Sequence, residues 1–582
     1  MTTTPRKPSA EKRGNGGLFG LLGAYKGMIL LMVLMALAGS SLNLLIPDII
    51  SRSIDAFSAN RFHAGAVIAE FTAAAAGIFV FTLIQSILQT YTSEQVARDY
   101  REKLAGKISR QSYTYILSSN PARLLTNLTS DMDAVKMFVA QAFVTIVSSL
   151  FMIIGAGFLL IRIHWRLALA VLIIVPVIAF TFFMVRRRLT HLFRKSREII
   201  DGLNRVINES IMGSALIRVL NSQLPESLKF VQKNSESRDL GLSIVALFSV
   251  LVPTITFISN LAVVTILALG GHFIVAGTLS LGSFAAFNSY LAMLIFPVMM
   301  IGFMTNIIAS ATASYGRIRQ VLEVPLPVEK GSVRENIRGT INVNGVSLSY
   351  GEKPVLKNIS FRVEAGTRTA IIGPTAAGKS QLLYLLTGLV APDKGTITYD
   401  GVPLENYDKE VFHRNTGFVF QDSVLFHLSL RENIAFDQSV QEKAITRAIQ
   451  TAELEDFITA LPDQLETMVS ERGTSLSGGQ KQRVMLARAL ALDPKVLLLD
   501  DFTARVDRNT EKRILDNISQ NYPGMTLVSV TQKISSVEDY DQIILLMEGE
   551  IIASGHHGEL IRQSPEYNQI YQSQQSTHHN EL

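Results

Sequence analysis

Six long apolar stretches within the first 311 residues constrain this chain more than any other feature. They lie at 25–46, 66–89, 138–161, 167–185, 244–271 and 281–311. Each is long enough to cross about 30 Å of hydrocarbon at about 1.5 Å per helical residue. Backbone inside lipid has no water to bond, so such segments close their hydrogen bonds internally, as helices. The remainder is far more polar. Averaged over the chain, 48% of residues are hydrophobic and 18% charged, which fits neither an ordinary soluble enzyme nor a purely membrane-embedded protein. The two halves therefore belong to different solvents.

The loops joining the first and second, third and fourth, and fifth and sixth segments are short, the third–fourth one lying around Trp165. The other two connections are long, charged and rich in helix formers. They predict helices that run well past the bilayer and turn back at short transverse helices near 112–117 and 210–217. Arg186, Arg187 and Arg188, with Arg6, Lys7, Lys12 and Arg13, mark the side of these long connections as cytosolic. The run 18–22 reads as a short interfacial helix. Ser40, Ser41, Asn43, Ser259, Asn260, Asn288, Ser289 and Asn306 sit inside the segments. They suit either a substrate path or hydrogen bonds between helices.

The net charge of +5 fits the basic flank of a membrane protein, and no basic helix or aromatic-basic module points to nucleic acid. With no cysteine in the chain, disulfides and thiolate metal sites are excluded.

Beyond a linker at 321–337 the pattern changes. The stretch 341–350 alternates as a strand, and 369–372 is a buried strand leading into Gly373-Pro374-Thr375-Ala376-Ala377-Gly378-Lys379-Ser380 and a helix. Strand, glycine-rich loop and helix is the setting in which this motif binds a nucleoside triphosphate. Backbone N–H groups of the loop cradle phosphates, Lys379 adds charge, and the Ser380 hydroxyl suits Mg²⁺. Four apolar residues then end in Asp500, the usual place for an aspartate on the Mg²⁺ side. A soluble phosphate-loop ATPase is excluded by the six spans.

These features, with Leu476-Ser477-Gly478-Gly479-Gln480, resemble a half-transporter of the ATP-binding cassette superfamily, over about residues 20–572. The resemblance implies an N-terminal all-α six-helix transmembrane domain of the exporter type (25–320), preceded by a cytosolic segment at 1–24. A cytosolic α/β nucleotide-binding domain follows at 338–572, with a disordered tail at 573–582. It further implies that Tyr350 stacks on adenine and that Gln421 joins Ser380 and Asp500 around Mg²⁺. Ser477, Gly478, Gly479, Gln480 and Asp507 are implied to meet ATP held by the opposite cassette. The stretches 120–131 and 204–219 resemble the family's two intracellular loops.

Two positions depart from the family pattern. Asp501 stands where a catalytic Glu is expected, and Gln532 where a His is expected. A carboxylate one methylene shorter is misplaced on the scale that costs about 100-fold in rate, and an amide carries no proton in or out. The resemblance thus implies the degenerate-site subunit of a heterodimer whose second half-transporter keeps the Glu and His. The expected setting is a bacterial cytoplasmic membrane, and the expected cargo a hydrophobic or amphipathic small molecule or lipid. A slow homodimer, an importer of the iron-chelate type and a channel-like regulator remain open.

Overall fold

A computed structural model of the chain describes residues 17–327, 331–422, 424–437 and 439–579. Arg6, Lys7, Lys12 and Arg13, part of the 321–337 linker and the last three residues lie outside the described residues. The chain forms two compact units, one of 1–109 with 120–324 and one of 110–119 with 325–582. A continuous membrane domain over 25–320 was the expectation; 110–119 groups instead with the second unit.

The first unit is helical. Its long helices are Lys26–Ser58, Ala64–Ser109, Phe143–Leu172, Ile174–Met212, Gln223–Thr265 and Leu281–Glu323. The 46-residue helix Ala64–Ser109 spans about 69 Å, more than twice the hydrocarbon thickness. Its charged second half therefore continues into water, as the long polar connections predict. The third and fourth apolar segments part at His164, which leaves helical geometry at φ −158°, ψ 99°. Its Nδ1 accepts the N–H of Leu167 at 3.3 Å and so caps the next helical turn.

Fixed polar contacts hold these helices together. Asp55 at the end of the first long helix accepts Ser280 Oγ at 2.7 Å and the Gly282 N–H at 2.8 Å. It thereby caps the start of Leu281–Glu323. Tyr290 Oη donates to the Leu44 carbonyl at 2.8 Å, shortly before Pro47. Arg317 forks onto the buried carboxylate of Asp131, with Nε–Oδ2 at 3.0 Å and a second bond through Nη2. Ser41, Ser259, Asn288 and Ser289 bond back to carbonyls four residues earlier in their own helices. Neither a polar path nor interhelical bonding is needed to satisfy the three serine hydroxyl donors. The transverse helix expected near 210–217 lies at Ser214–Val219; Ser210 still belongs to the preceding helix.

The second unit holds two sheets. An antiparallel sheet runs in the order β2-β1-β4-β5, from β1 (Ile341–Tyr350), β2 (Lys353–Val363), β4 (Lys394–Tyr399) and β5 (Val402–Pro403). The second sheet has the order β10-β9-β3-β8-β7-β6. It comprises β3 (Arg368–Ile372), β6 (Thr416–Val419), β7 (Val496–Asp500), β8 (Thr526–Val530), β9 (Gln542–Met547) and β10 (Glu550–Gly555). From β9 through β6 it is parallel. Every residue of β7 and β8 is buried, which explains their unbroken apolar runs. The C-terminal helix Pro565–His579 covers 573–579, the described part of the tail expected to be disordered over 573–582. Tyr567 anchors it in the core, and Gln574 bonds the backbone at Gln532 and Ile534.

Candidate functional site

Ligands of open α/β sheets sit beyond the carboxyl ends of the parallel strands. Four neighbouring strands end at one edge here. β3 delivers the loop 373–380, β8 leads to Gln532, β7 ends in Asp500 with Asp501 directly after it, and β6 leads to Gln421. With Tyr350 from the end of β1, residues from all of them line a cleft of about 360 Å³.

The loop shape depends on its glycines. Gly373 has φ +152°, and a Cβ there would fall 2.0 Å from the Leu546 carbonyl oxygen. At Gly378, φ +99°, a Cβ would meet Leu356 Cδ2 at 2.8 Å. The helix Lys379–Leu386 starts at once, so its unpaired first-turn N–H groups face the cleft. Lys379 folds back over the loop, with Nζ donating to the carbonyls of Gly373 and Pro374 at 2.8 Å each. Burial draws its pKa below the usual lysine range, against the pull of Asp501 and Asp500.

Ser380 Oγ donates to Asp500 Oδ1 at 3.0 Å. Among the described residues Asp500 Oδ2 is buried without a hydrogen-bond partner. An orphaned carboxylate oxygen beside a hydroxyl, with Gln421 on the same cleft wall, is an oxygen set suited to a hard divalent cation. Burial raises the Asp500 carboxyl pKa, countered by the Ser380 bond. Asp501 is also raised by burial, countered by Lys379 and Lys533. The Asp501 backbone is held at φ +45°, its N–H donating to the Val530 carbonyl at 2.9 Å. Tyr350 is 43% exposed at the cleft rim, and its hydroxyl donates to Gln381 Oε1 at 2.6 Å. Gln381 was not anticipated from the sequence.

The remaining site residues lie elsewhere. Ser477, Gly478, Gly479, Gln480 and Asp507 line a second cleft that shares no residue with the first. Ser477 caps the helix Gly478–Leu490 in a reciprocal capping box with Gln480. Asp507 caps Arg508–Asn521, accepting the Thr510 N–H at 3.0 Å. Arg483 and Arg505 also line this cleft. Arg505 was not anticipated from the sequence as a site residue.

Tyr113, in the short helix Tyr113–Ser118, packs edge-on against Tyr384, with ring centroids 5.6 Å apart. Tyr384 lies on the helix that starts at Lys379, and its ring also meets Phe418 and Phe420, directly before Gln421. The transverse helix near 112–117 is thus connected by aromatic packing to elements that shape the cleft.

Comparisons with known proteins agree with this arrangement. Residues 29–298 match the family described as ABC transporter transmembrane region, and 356–504 match ABC transporter. The chain is 30% identical over 567 residues to the probable multidrug resistance ABC transporter ATP-binding/permease protein YheI of Bacillus subtilis, covering 95% of this chain and 96% of that one. It is 27% identical over 494 residues to the ATP-dependent lipid A-core flippase of Syntrophus aciditrophicus, covering 84% and 82%. Its fold matches that of a bacterial Atm1-family ABC exporter with ATP bound, at a TM-score of 0.79 and 23% identity, over 95% of this chain and 99% of that one. Apolar helices, a phosphate-binding cleft and a capped signature helix in one chain are thereby accounted for: this protein belongs to the ABC transporter family, as a multi-pass membrane protein with an ATP-hydrolysing cassette.

Proposed function

We propose that the chain is one half of a two-chain exporter of hydrophobic or amphipathic compounds, drugs or lipids, in a bacterial cytoplasmic membrane with its cassette in the cytosol. Its own cleft binds ATP with Mg²⁺ and cleaves it slowly. Its signature cleft completes a fast site on a second half-transporter that carries Glu and His. The observation carrying this reading is the division of labour between the clefts. Phosphate loop and signature line separate clefts, the arrangement expected where each nucleotide is shared between two cassettes. The first cleft keeps its phosphate-holding groups but has Asp501 and Gln532 at the reacting end.

In this cleft Ser380, Asp500 and Gln421 would hold Mg²⁺, which would supply positive charge beside the triphosphate. Lys379 and the loop N–H groups orient the triphosphate, and Tyr350 offers a ring to the base. Asp501 orients water from a carboxylate set back by one methylene. The exposed apolar side chains of Met212, Leu216, Val219 and Leu220, around the transverse helix Ser214–Val219, suit a surface covered by a second chain. The names of relatives that act in multidrug resistance or lipid A-core flipping support the cargo class.

The test compares ATP turnover by the purified full-length chain with that of the same chain co-purified with a second half-transporter retaining Glu and His. The pair is expected to turn over at least tenfold faster per cassette. Brisk turnover by the chain alone would replace this reading with a homodimer that works through Asp501, which does line the cleft.

A further inference from the structure

The second cleft contains a cation, Arg505, without a structural partner among the described residues. Arg505 is exposed, and among the described residues its side chain makes no hydrogen bond or ion pair. The other charged groups lining the cleft are engaged: Arg483 donates to the Glu453 carbonyl, and Asp507 accepts the Thr510 N–H at 3.0 Å. Arg505 is nevertheless closely placed. A Cβ on Gly478 would fall 2.8 Å from Arg505 Cδ, and one on Gly479 would fall 2.8 Å from the Arg505 carbonyl oxygen. The arginine stem and backbone thus occupy the volume that side chains at 478 and 479 would take. Glycines and arginine form one surface at the start of a 13-residue helix, whose first-turn N–H groups lack intrahelical partners.

That surface combines N–H donors, the Ser477 hydroxyl and a guanidinium without a partner among the described residues, with Asp507 engaged as the cap of its own helix. It is chemistry for a phosphate. We infer that Arg505 binds the terminal phosphate of the nucleoside triphosphate held by the partner cassette, beside Ser477 and the N–H groups of Gly478 and Gly479. The inference rests on the composite-site reading above and adds a phosphate-contacting residue to it. A planar fork there favours the charge that spreads over the equatorial oxygens as the phosphoryl group leaves, so its effect falls on turnover more than on ground-state binding.

The experiment uses the full-length chain in its active membrane-reconstituted assembly. R505M keeps an apolar stem over the glycines and removes the charge; R505K restores charge without the fork. R505M is expected to lower kcat/KM for ATP about 10- to 100-fold, the range for one lost hydrogen bond to a charged group. R505K should stand at least about threefold above it. Photolabelling of the chain's own cleft by 8-azido-ATP should be unchanged in both, which verifies folding. G479E separates the two readings. If G479E leaves turnover intact, the signature is not part of an active site, and the composite reading falls together with Arg505's role. If G479E silences turnover while R505M stays within twofold of the parent, the Arg505 inference alone is overturned. Equal losses in R505M and R505K overturn it too, because charge would then be irrelevant.

Discussion

Replacing Asp501 by Glu should awaken the chain's own cleft. The Asp501 backbone has little freedom: it sits at φ +45° and is tied to Val530 by a 2.9 Å hydrogen bond. An added methylene therefore moves the carboxylate by about 1.5 Å into the open cleft. Misplacement on this scale costs about 100-fold, and a positioned base is worth about 10²–10⁴-fold. D501E is expected to raise turnover by the isolated chain about 10- to 100-fold. Gln532 adds a second term. Its carbonyl is pinned by Gln574 Nε2 at 2.7 Å, so a histidine there would start from the same backbone position. One polar donor to developing charge is worth about 10²–10³-fold. Because the two groups act on one phosphate, their effects will not add; about 10³-fold is expected for D501E with Q532H. The assay is phosphate release by the full-length chain in nanodiscs at saturating ATP, with Lys379→Ala as the background. Turnover by the double variant within twofold of the parent, with ATP binding retained, would refute the claim that these two side chains limit hydrolysis.

Gln574→Ala removes two hydrogen bonds to the segment after β8 and should cost about 1–2 kcal/mol of local stability, read as faster hydrogen exchange at 532–536. Tyr113→Ala breaks the ring contact with Tyr384, worth about 0.5–1.5 kcal/mol beyond its buried area; substrate-stimulated ATPase should fall while basal ATPase persists. Arg317→Met strands the buried Asp131 carboxylate, and since Arg317 is itself 43% exposed the loss should be about 2–3 kcal/mol, measured as a lowered Tm. Pairing it with Asp131→Leu should recover most of that loss.

Legibility in the sequence followed the range of the interactions involved. The apolar spans, β1, β3 and the phosphate loop are set by local pattern and motif: β1 and β3 fall within a few residues of expectation, and each apolar span lies in helical structure that extends well beyond it. Tertiary contacts were not legible. The grouping of 110–119 with the nucleotide-binding unit includes ring packing between Tyr113 and Tyr384, 271 positions apart in sequence. The C-terminal helix has a polar composition that reads as disorder, yet Tyr567 and Gln574 fix it to the core. From sequence, the serines and asparagines within spans suit a ligand path or hydrogen bonds between helices. Only their geometry shows Ser41, Ser259, Asn288 and Ser289 returning to their own carbonyls.

Residues 501–507 explain how one short stretch can change two sites at once. Asp501 faces the cleft built on the phosphate loop, while Arg505 and Asp507 face the signature cleft. The segment between them is short and partly helical, so substitutions here act on both faces of the cassette. Holding a nucleotide depends largely on backbone N–H groups and glycine geometry, which side-chain changes leave untouched. Cleaving it depends on where two or three side-chain atoms lie, which a single methylene alters. A chain that drifted only toward inactivity would be expected to lose charge in both clefts. This one has Asp501 in the first and, in the second, a guanidinium without a partner among the described residues, as the proposed role of serving a partner's nucleotide would require. Moving the arginine to the other face by exchanging the side chains at 501 and 505 should therefore lower turnover by the pair without raising turnover by the chain alone.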